Sequence, residues 1–330
     1  MKSRLYFSVP HFAALLLLFL FTSVSASAQS PGSSTQSGST DNPDEVLRVD
    51  TNLVTIPAAV MDRDGRYITD LKKEDFKIFE NGAEQEIAFF APVEKPFTVL
   101  LLLDVSGSMK YKMEDLARAA NAFIARLRPD DQIIVASFAE RVKILSKAMT
   151  VKAMHEGSIK FHLSSGGHTM LYDAVDNALK RMKKIQGRKA IVLFSDGYDS
   201  GTSLPFVTAK DNLREAEEID AIIYIVQFNT SPPMPADHAS TKNVHESIEA
   251  GDGYMMALAQ KTGGRRFQIE NISDLSKTFG QVADELRRQY SLGYYPKKPI
   301  EAGQTRHIAV KVRVPNLAVT ARNSYIARKP

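Results

Sequence analysis

The chain has 330 residues, 44% of them hydrophobic and 24% charged, with a net charge of +4 and no cysteine. That length makes two domains the expectation and is enough to bury a core unaided, and the composition excludes a wholly disordered or fibrous chain. The missing cysteine excludes disulfide scaffolds, thiolate metal sites, cysteine nucleophiles and lipid attachment through cysteine.

Residues 1–28 read as a signal peptide. Lys2 and Arg4 form a basic start, Ala13 to Phe21 is an apolar run, and Ala26-Ser27-Ala28 fits a cleavage site. The run is too short for a spanning helix, which needs about 20 apolar residues. The expectation is export to the periplasm or the medium, with no stable membrane span after cleavage. The basic residues are dispersed, without a stripe interleaved with aromatics, so nucleic acid is not expected as a partner.

Residues 29–44 are rich in Ser, Gly, Gln and Pro and read as a flexible linker. Residues 45–94 read as a β-rich module. Asp62 to Gly65 is a turn signal, and Asn81-Gly82 between two strand-like runs is a hairpin signal.

A different rhythm begins at residue 95. "FTVLLLLD" is a continuous apolar run of the kind buried on both faces of a parallel sheet. Met113 to Arg128 has helical periodicity, "QIIVASF" is a strand, and "RVKILS" is its expected antiparallel neighbour. Leu171 to Ile185 is helical, "KAIVLFSD" and "AIIYIVQF" are buried strands, and Asn212 to Ile219 lies between them as a helix. Asn229 to Gly253 is a long polar stretch with three prolines, too long for an ordinary connection and so either functional or disordered, followed by a short helix from Tyr254 to Thr262. Ser273 to Arg288 is a last helix. Strands alternating with helices over 95–288 predict an α/β domain with a doubly wound, mostly parallel sheet. Residues 289–330 return to strand patterns, which pair most economically with those of 45–94 in a β-sandwich-like module.

Asp104, Ser106 and Ser108, in "DVSGS", directly follow the first buried strand. In open α/β sheets ligands bind in the crevice at the carboxyl ends of the strands. Two further loops reach toward that crevice, one offering Thr169 and the other, after the second buried strand, Asp196. Hydroxyl and carboxylate oxygens suit a hard divalent cation such as Mg²⁺, Mn²⁺ or Ca²⁺. Tyr198 and Asp199 are either rim residues or a solvated loop, and His155, His162 and His168 read as ordinary surface histidines.

The order D-x-S-x-S, then Thr, then Asp resembles the von Willebrand factor A domain and its metal-ion-dependent adhesion site, over roughly residues 97–288. "SGSM", "GGHTMLYDA" and "SDG" strengthen the likeness, and the flanks resemble a group of exported bacterial proteins common in acidobacteria. The resemblance implies that Ser106, Ser108 and Thr169 coordinate a metal, Mg²⁺ foremost. Asp104 and Asp196 then act through bound waters and accept from the serine hydroxyls. It also implies a protein ligand that supplies an Asp or Glu to the metal, in an adhesion or binding role without catalysis. An envelope scaffold with a structural or vestigial metal site is the alternative. A metal-dependent hydrolase stands behind it, since no G-x-S-x-G, H-E-x-x-H or phosphate-binding loop is present.

Overall fold

The computed structural model describes residues 53–92, 96–156, 167–200, 207–229, 238–298 and 301–327, with the side chains of 155–156 and 238–246 outside the description. The expected leader and linker, together with His162, lie outside the described residues.

The chain opens with β1 (Val54–Met61), β2 (Phe76–Glu80), β3 (Ala83–Gln85) and β4 (Phe89–Ala91). The α/β series follows: β5 (Thr98–Asp104), α1 (Met113–Arg126), β6 (Gln132–Phe138), β7 (Val142–Thr150), α2 (Val151–Glu156), α3 (Leu171–Lys183) and β8 (Lys189–Ser195). It continues through α4 (Ala209–Glu218), β9 (Ala221–Phe228), α5 (His238–Thr262), β10 (Arg266–Ile269) and α6 (Leu275–Leu286). Four strands close it: β11 (Tyr290–Tyr294), β12 (Thr305–Val312), β13 (Ala318–Ala321) and β14 (Ser324–Ile326).

The six-stranded sheet has the order β10-β9-β8-β5-β6-β7 and is parallel except for β7. Strand geometry sends successive side chains to opposite faces. Val99, Leu101 and Leu103 of β5 therefore join one core with α1 and α6, while Leu100 and Leu102 join another with α3 and α5. β8 divides in the same way, with Val192 and Phe194 on one side and Ile191 and Leu193 on the other. Both faces are covered, which is why these strands read as unbroken apolar runs. Each fully buried Leu contributes about 1.5–3 kcal/mol. The chain leaves β5 toward β6 on one side and returns as β8 on the other, so the crevice between diverging connections opens at the carboxyl end of β5.

The segment before Tyr254 departs from expectation. Instead of a long polar stretch followed by a short helix, α5 runs unbroken over 25 residues from His238. Gly251 and Gly253 weaken helix propensity there, but Tyr254, Met255, Leu258 and Ala259 are buried in the core shared with α3 and anchor the helix. Among the described residues no helix is long and apolar enough to cross a membrane.

The flanking strands form two antiparallel sheets, β13-β1-β11-β4 and β14-β12-β2-β3, so each mixes strands from before and after the α/β series. Their inner faces share one core with Ile56, Ile78, Tyr290, Leu292 and Tyr294. Asn81 (φ 47°) and Gly82 (φ 82°) form the hairpin between β2 and β3, as the sequence predicts. Asp62 Oδ1 accepts from the amides of Asp64 and Arg66 at 2.9 Å each, so this acidic pair makes a turn. Glu80 and Arg306 form a buried ion pair to which Tyr294 (2.6 Å) and Tyr325 (3.1 Å) also donate. Tyr290 and Tyr294 are buried in sheet packing as expected, and Tyr295 is exposed.

Glu285, at the end of α6, ties the α/β part to the sandwich. Its carboxylate is fully buried and accepts from Tyr67 at 2.5 Å, Tyr224 at 3.0 Å and Arg265 at 3.1 Å. Only residues 287–289 separate α6 from β11, so the helix is clamped at the point where the chain re-enters the sandwich.

Candidate metal centre

Asp104 is the last residue of β5 and is fully buried. Its Oδ1 accepts from the Ser106 amide at 2.9 Å, and its Oδ2 accepts from the Ser195 hydroxyl at 2.7 Å. Ser106 begins a 3-10 turn over Gly107–Lys112. Met109 plugs that turn into the core, and its amide returns to the Ser106 carbonyl at 3.0 Å. The Ser106 and Ser108 hydroxyls lie 3.2 Å apart, with Ser106 buried and Ser108 facing solvent.

The three loops brace one another. The Gly107 amide donates to the Gly167 carbonyl at 3.1 Å, which joins the serine loop to the threonine loop. Thr169 is buried; its amide donates to Ser200 Oγ at 2.6 Å, and the Ser200 amide donates to the Thr169 carbonyl at 3.0 Å. That joins the threonine loop to the loop of Asp196. The Ser195–Asp104 bond closes the triangle. The Met170 amide also donates to the Ala139 carbonyl at the end of β6 (3.0 Å), so the threonine loop is held from a third strand.

Asp196 is half-buried, and its Oδ1 accepts from the Tyr198 amide at 3.1 Å. Gly197 follows at φ 86°, in the left-handed region, where a Cβ would stand 2.3 Å from Met255 Cε. Helix α5 presses on the same loop: a Cβ on Gly251 would lie 2.0 Å from the Gly197 carbonyl oxygen. Beside it, the buried Gln227 donates through Nε2 to the Asp196 carbonyl at 3.3 Å and to Asp252 at 2.5 Å. Arg266 donates to Gln227 Oε1 at 2.9 Å. Asp199 accepts from the Tyr172 amide at 3.0 Å and so caps the start of α3, a structural role for a residue that the sequence left between rim and solvated loop. His168 is exposed beside Thr169.

Sequence reasoning did not single out Ser195, Ser200, Gln227, Gly251 or Asp252. Ser195, as the residue before the Asp of "SDG", was open to discovery from its position alone. The others reach the site through tertiary packing.

The carboxylates of Asp104 and Asp196 are close enough to repel one another. Burial, and then the charge of Asp196, push the Asp104 carboxyl up to about 7, while hydrogen bonds from Ser106 and Ser195 act in the opposite direction. Among the described residues no group of three or more His, Asp or Glu side chains could hold a metal ion, and the candidate donors are the hydroxyls of Ser106, Ser108 and Thr169 beside the two carboxylates. The donors fit a small hard ion. Adjacent oxygens around an octahedral ion at about 2.1 Å stand about 3 Å apart, close to the 3.2 Å between Ser106 and Ser108.

Residues 99–198 match the model of the von Willebrand factor type A domain. The match spans the segment from β5 through the Asp196 loop, and so includes all five predicted site residues. No curated protein sequence matches the chain. Among solved structures, the chain is similar to a von Willebrand factor type A protein from Catenulispora acidiphila, with 10% identity, 85% of this chain and 75% of that one covered, and a TM-score of 0.47. It is also similar to proximal thread matrix protein 1 from the mussel byssus, in a structure with a zinc-occupied MIDAS motif (17% identity, 62% and 49% covered, TM-score 0.45). A third is the ArnB paralog VWA2 from Sulfolobus acidocaldarius (14% identity, 84% and 76% covered, TM-score 0.42). At these identities the likeness is one of fold alone.

Proposed function

We propose that this chain is an exported module that binds a protein ligand through a divalent cation, Mg²⁺ first, held by Asp104, Ser106, Ser108, Thr169 and Asp196. The observation that carries the proposal is the three-way bracing of the loops that present these residues around the buried carboxylate of Asp104. When bound, the cation supplies a coordination position that a partner's Asp or Glu takes. The chain's own residues do the rest. Ser106, Ser108 and Thr169 offer neutral oxygens, so the ion keeps net positive charge toward the partner. Asp104 orients the serine loop through the Ser106 amide and balances charge from below. A carboxylate–metal bond at the centre of a contact has the character of an interface hot spot. Export is inferred from residues 1–28 of the sequence.

The test is calorimetric titration of Mg²⁺, Mn²⁺ and Ca²⁺ into the full chain and into Ser106→Ala/Ser108→Ala and Asp104→Ala variants. Binding in the parent that disappears in both variants supports the site. A protein partner retained equally in chelator and by Asp104→Ala refutes the mechanism. Unfolding on metal removal without loss of a partner contact supports the scaffold alternative. Turnover that needs the metal and Asp104 or Asp196 supports the hydrolase.

A further inference from the structure

The segment that carries Ser106 and Ser108 ends, one turn later, in Lys112. This residue closes the 3-10 turn and stands as the cap before α1. Its side chain does not run out into solvent. It lies half-buried across the top of the sheet, with Nζ 4.1 Å from the centroid of the Phe228 ring. Phe228 ends β9, and the residue before it, Gln227, pairs with Ser195 at the end of β8. Phe228 and Asp196 therefore emerge side by side from neighbouring strands. An ammonium parked on the Phe228 ring is held at the rim of the candidate metal site, where its charge acts on Asp196.

We propose that Lys112 is a tethered counter-charge of this site, which partly neutralises its carboxylates in the metal-free protein and competes electrostatically with an incoming divalent ion, so lowering resting metal affinity. This rests on the metal-site reading above. Two features support it. The lysine and the serine ligands share one turn, whose Met109 is buried in the core, so the lysine backbone is anchored one turn from Ser108. The cation–π contact gives the ammonium a defined seat in place of free solvation. The same charge attracts a carboxylate, so Lys112 favours occupation by metal and an acidic partner group together over metal alone.

The experiment is calorimetric titration of Mg²⁺ and Mn²⁺ into the full chain, Lys112→Met and Lys112→Arg, at low and at high ionic strength. Methionine keeps the length and the apolar contact with Phe228, and arginine keeps the charge. At a separation of about 6 Å a unit charge costs a divalent ion about tenfold in affinity at the dielectric of water, and about threefold at twice that separation. The expected result is affinity about threefold to tenfold tighter in Lys112→Met and close to the parent in Lys112→Arg, with the gap narrowing at high salt. Binding in Lys112→Met where the parent is silent would support the proposal equally. Equal affinities in the parent and Lys112→Met overturn it and leave the metal reading standing. Weaker binding in Lys112→Met overturns it too, and makes the lysine a prop for the serine turn. Silence in all three chains removes the metal reading and this inference with it.

Discussion

Helix α5 contains two glycines that differ in one respect. A Cβ on Gly253 meets nothing within 4 Å, whereas a Cβ on Gly251 stands 2.0 Å from the Gly197 carbonyl oxygen. Ordinary contacts begin at 3.4 Å, so Gly251→Ala is short by more than 1 Å. The obstacle is also backbone, which cannot rotate away. Each substitution gains about 1 kcal/mol of helix propensity. Overpacking adds a cost of about 1–3 kcal/mol at Gly251 alone. Propensity cancels in the difference, so Gly253→Ala is expected to be more stable than Gly251→Ala by about 1–3 kcal/mol. For a chain of this size that is a gap of about 1.5–4 °C in Tm. The displaced carbonyl belongs to the residue after Asp196, so Gly251→Ala should also weaken Mg²⁺ binding by about tenfold or more, and Gly253→Ala should leave it unchanged. Differential scanning calorimetry and metal titration read both effects. If the two variants share a Tm and a metal affinity, α5 does not brace the Asp196 loop and the reasoning fails.

Three further expectations follow from the same site and its supports. Asp104 holds its proton to about pH 7 in the metal-free fold and releases it near the ordinary aspartate value of 3.8 when unfolded. The stability conferred by the protonated form is complete below about pH 4 and is lost as pH rises through about 7. In chelator the Tm should fall between about pH 4 and pH 7 and level off above, and Mg²⁺ should raise it more at the higher pH; a metal-induced shift independent of pH contradicts the assignment. Ser195→Ala removes the donor to Asp104 and the acceptor of the Gly197 amide, and should cost about 1–3 kcal/mol in urea unfolding together with a loss of metal affinity. Glu285→Gln leaves Arg265 without its carboxylate and disturbs the Tyr67 and Tyr224 bonds. Arg265 is partly exposed, so about 2–4 kcal/mol is expected by chemical denaturation, at the lower end of values for broken buried pairs; a loss below about 1 kcal/mol would show that the clamp contributes little.

The division between sequence and tertiary structure follows the range of the forces involved. Alternation and apolar runs are local, so "TVLLLLD", "KAIVLFS" and "AIIYIVQF" are legible as doubly covered strands without reference to their neighbours. The Asn81-Gly82 hairpin is local too, because left-handed backbone at two adjacent residues is a property of those residues. The "DVSGS" loop was legible because its donors share one turn, and Thr169 and Asp196 were tied to it through the recognised order of the pattern. The long helix α5 was not legible, since Gly251, Gly253 and a polar composition outweigh weak periodicity until the core shared with α3 is in place. Gln227 and Gly251 reach the Asp196 loop, and Lys112 reaches Phe228, through contacts made 25 or more residues away in the chain, at distances only a folded sheet brings within reach. Residue types and their spacing determined by themselves which oxygens the chain offers and at which end of which strand. The packing of α5 and β9 against the Asp196 loop, and the seat of a lysine ammonium on Phe228, were decided by the tertiary structure alone, because close approach and electrostatic proximity are properties of space and leave no local trace in the order of residues.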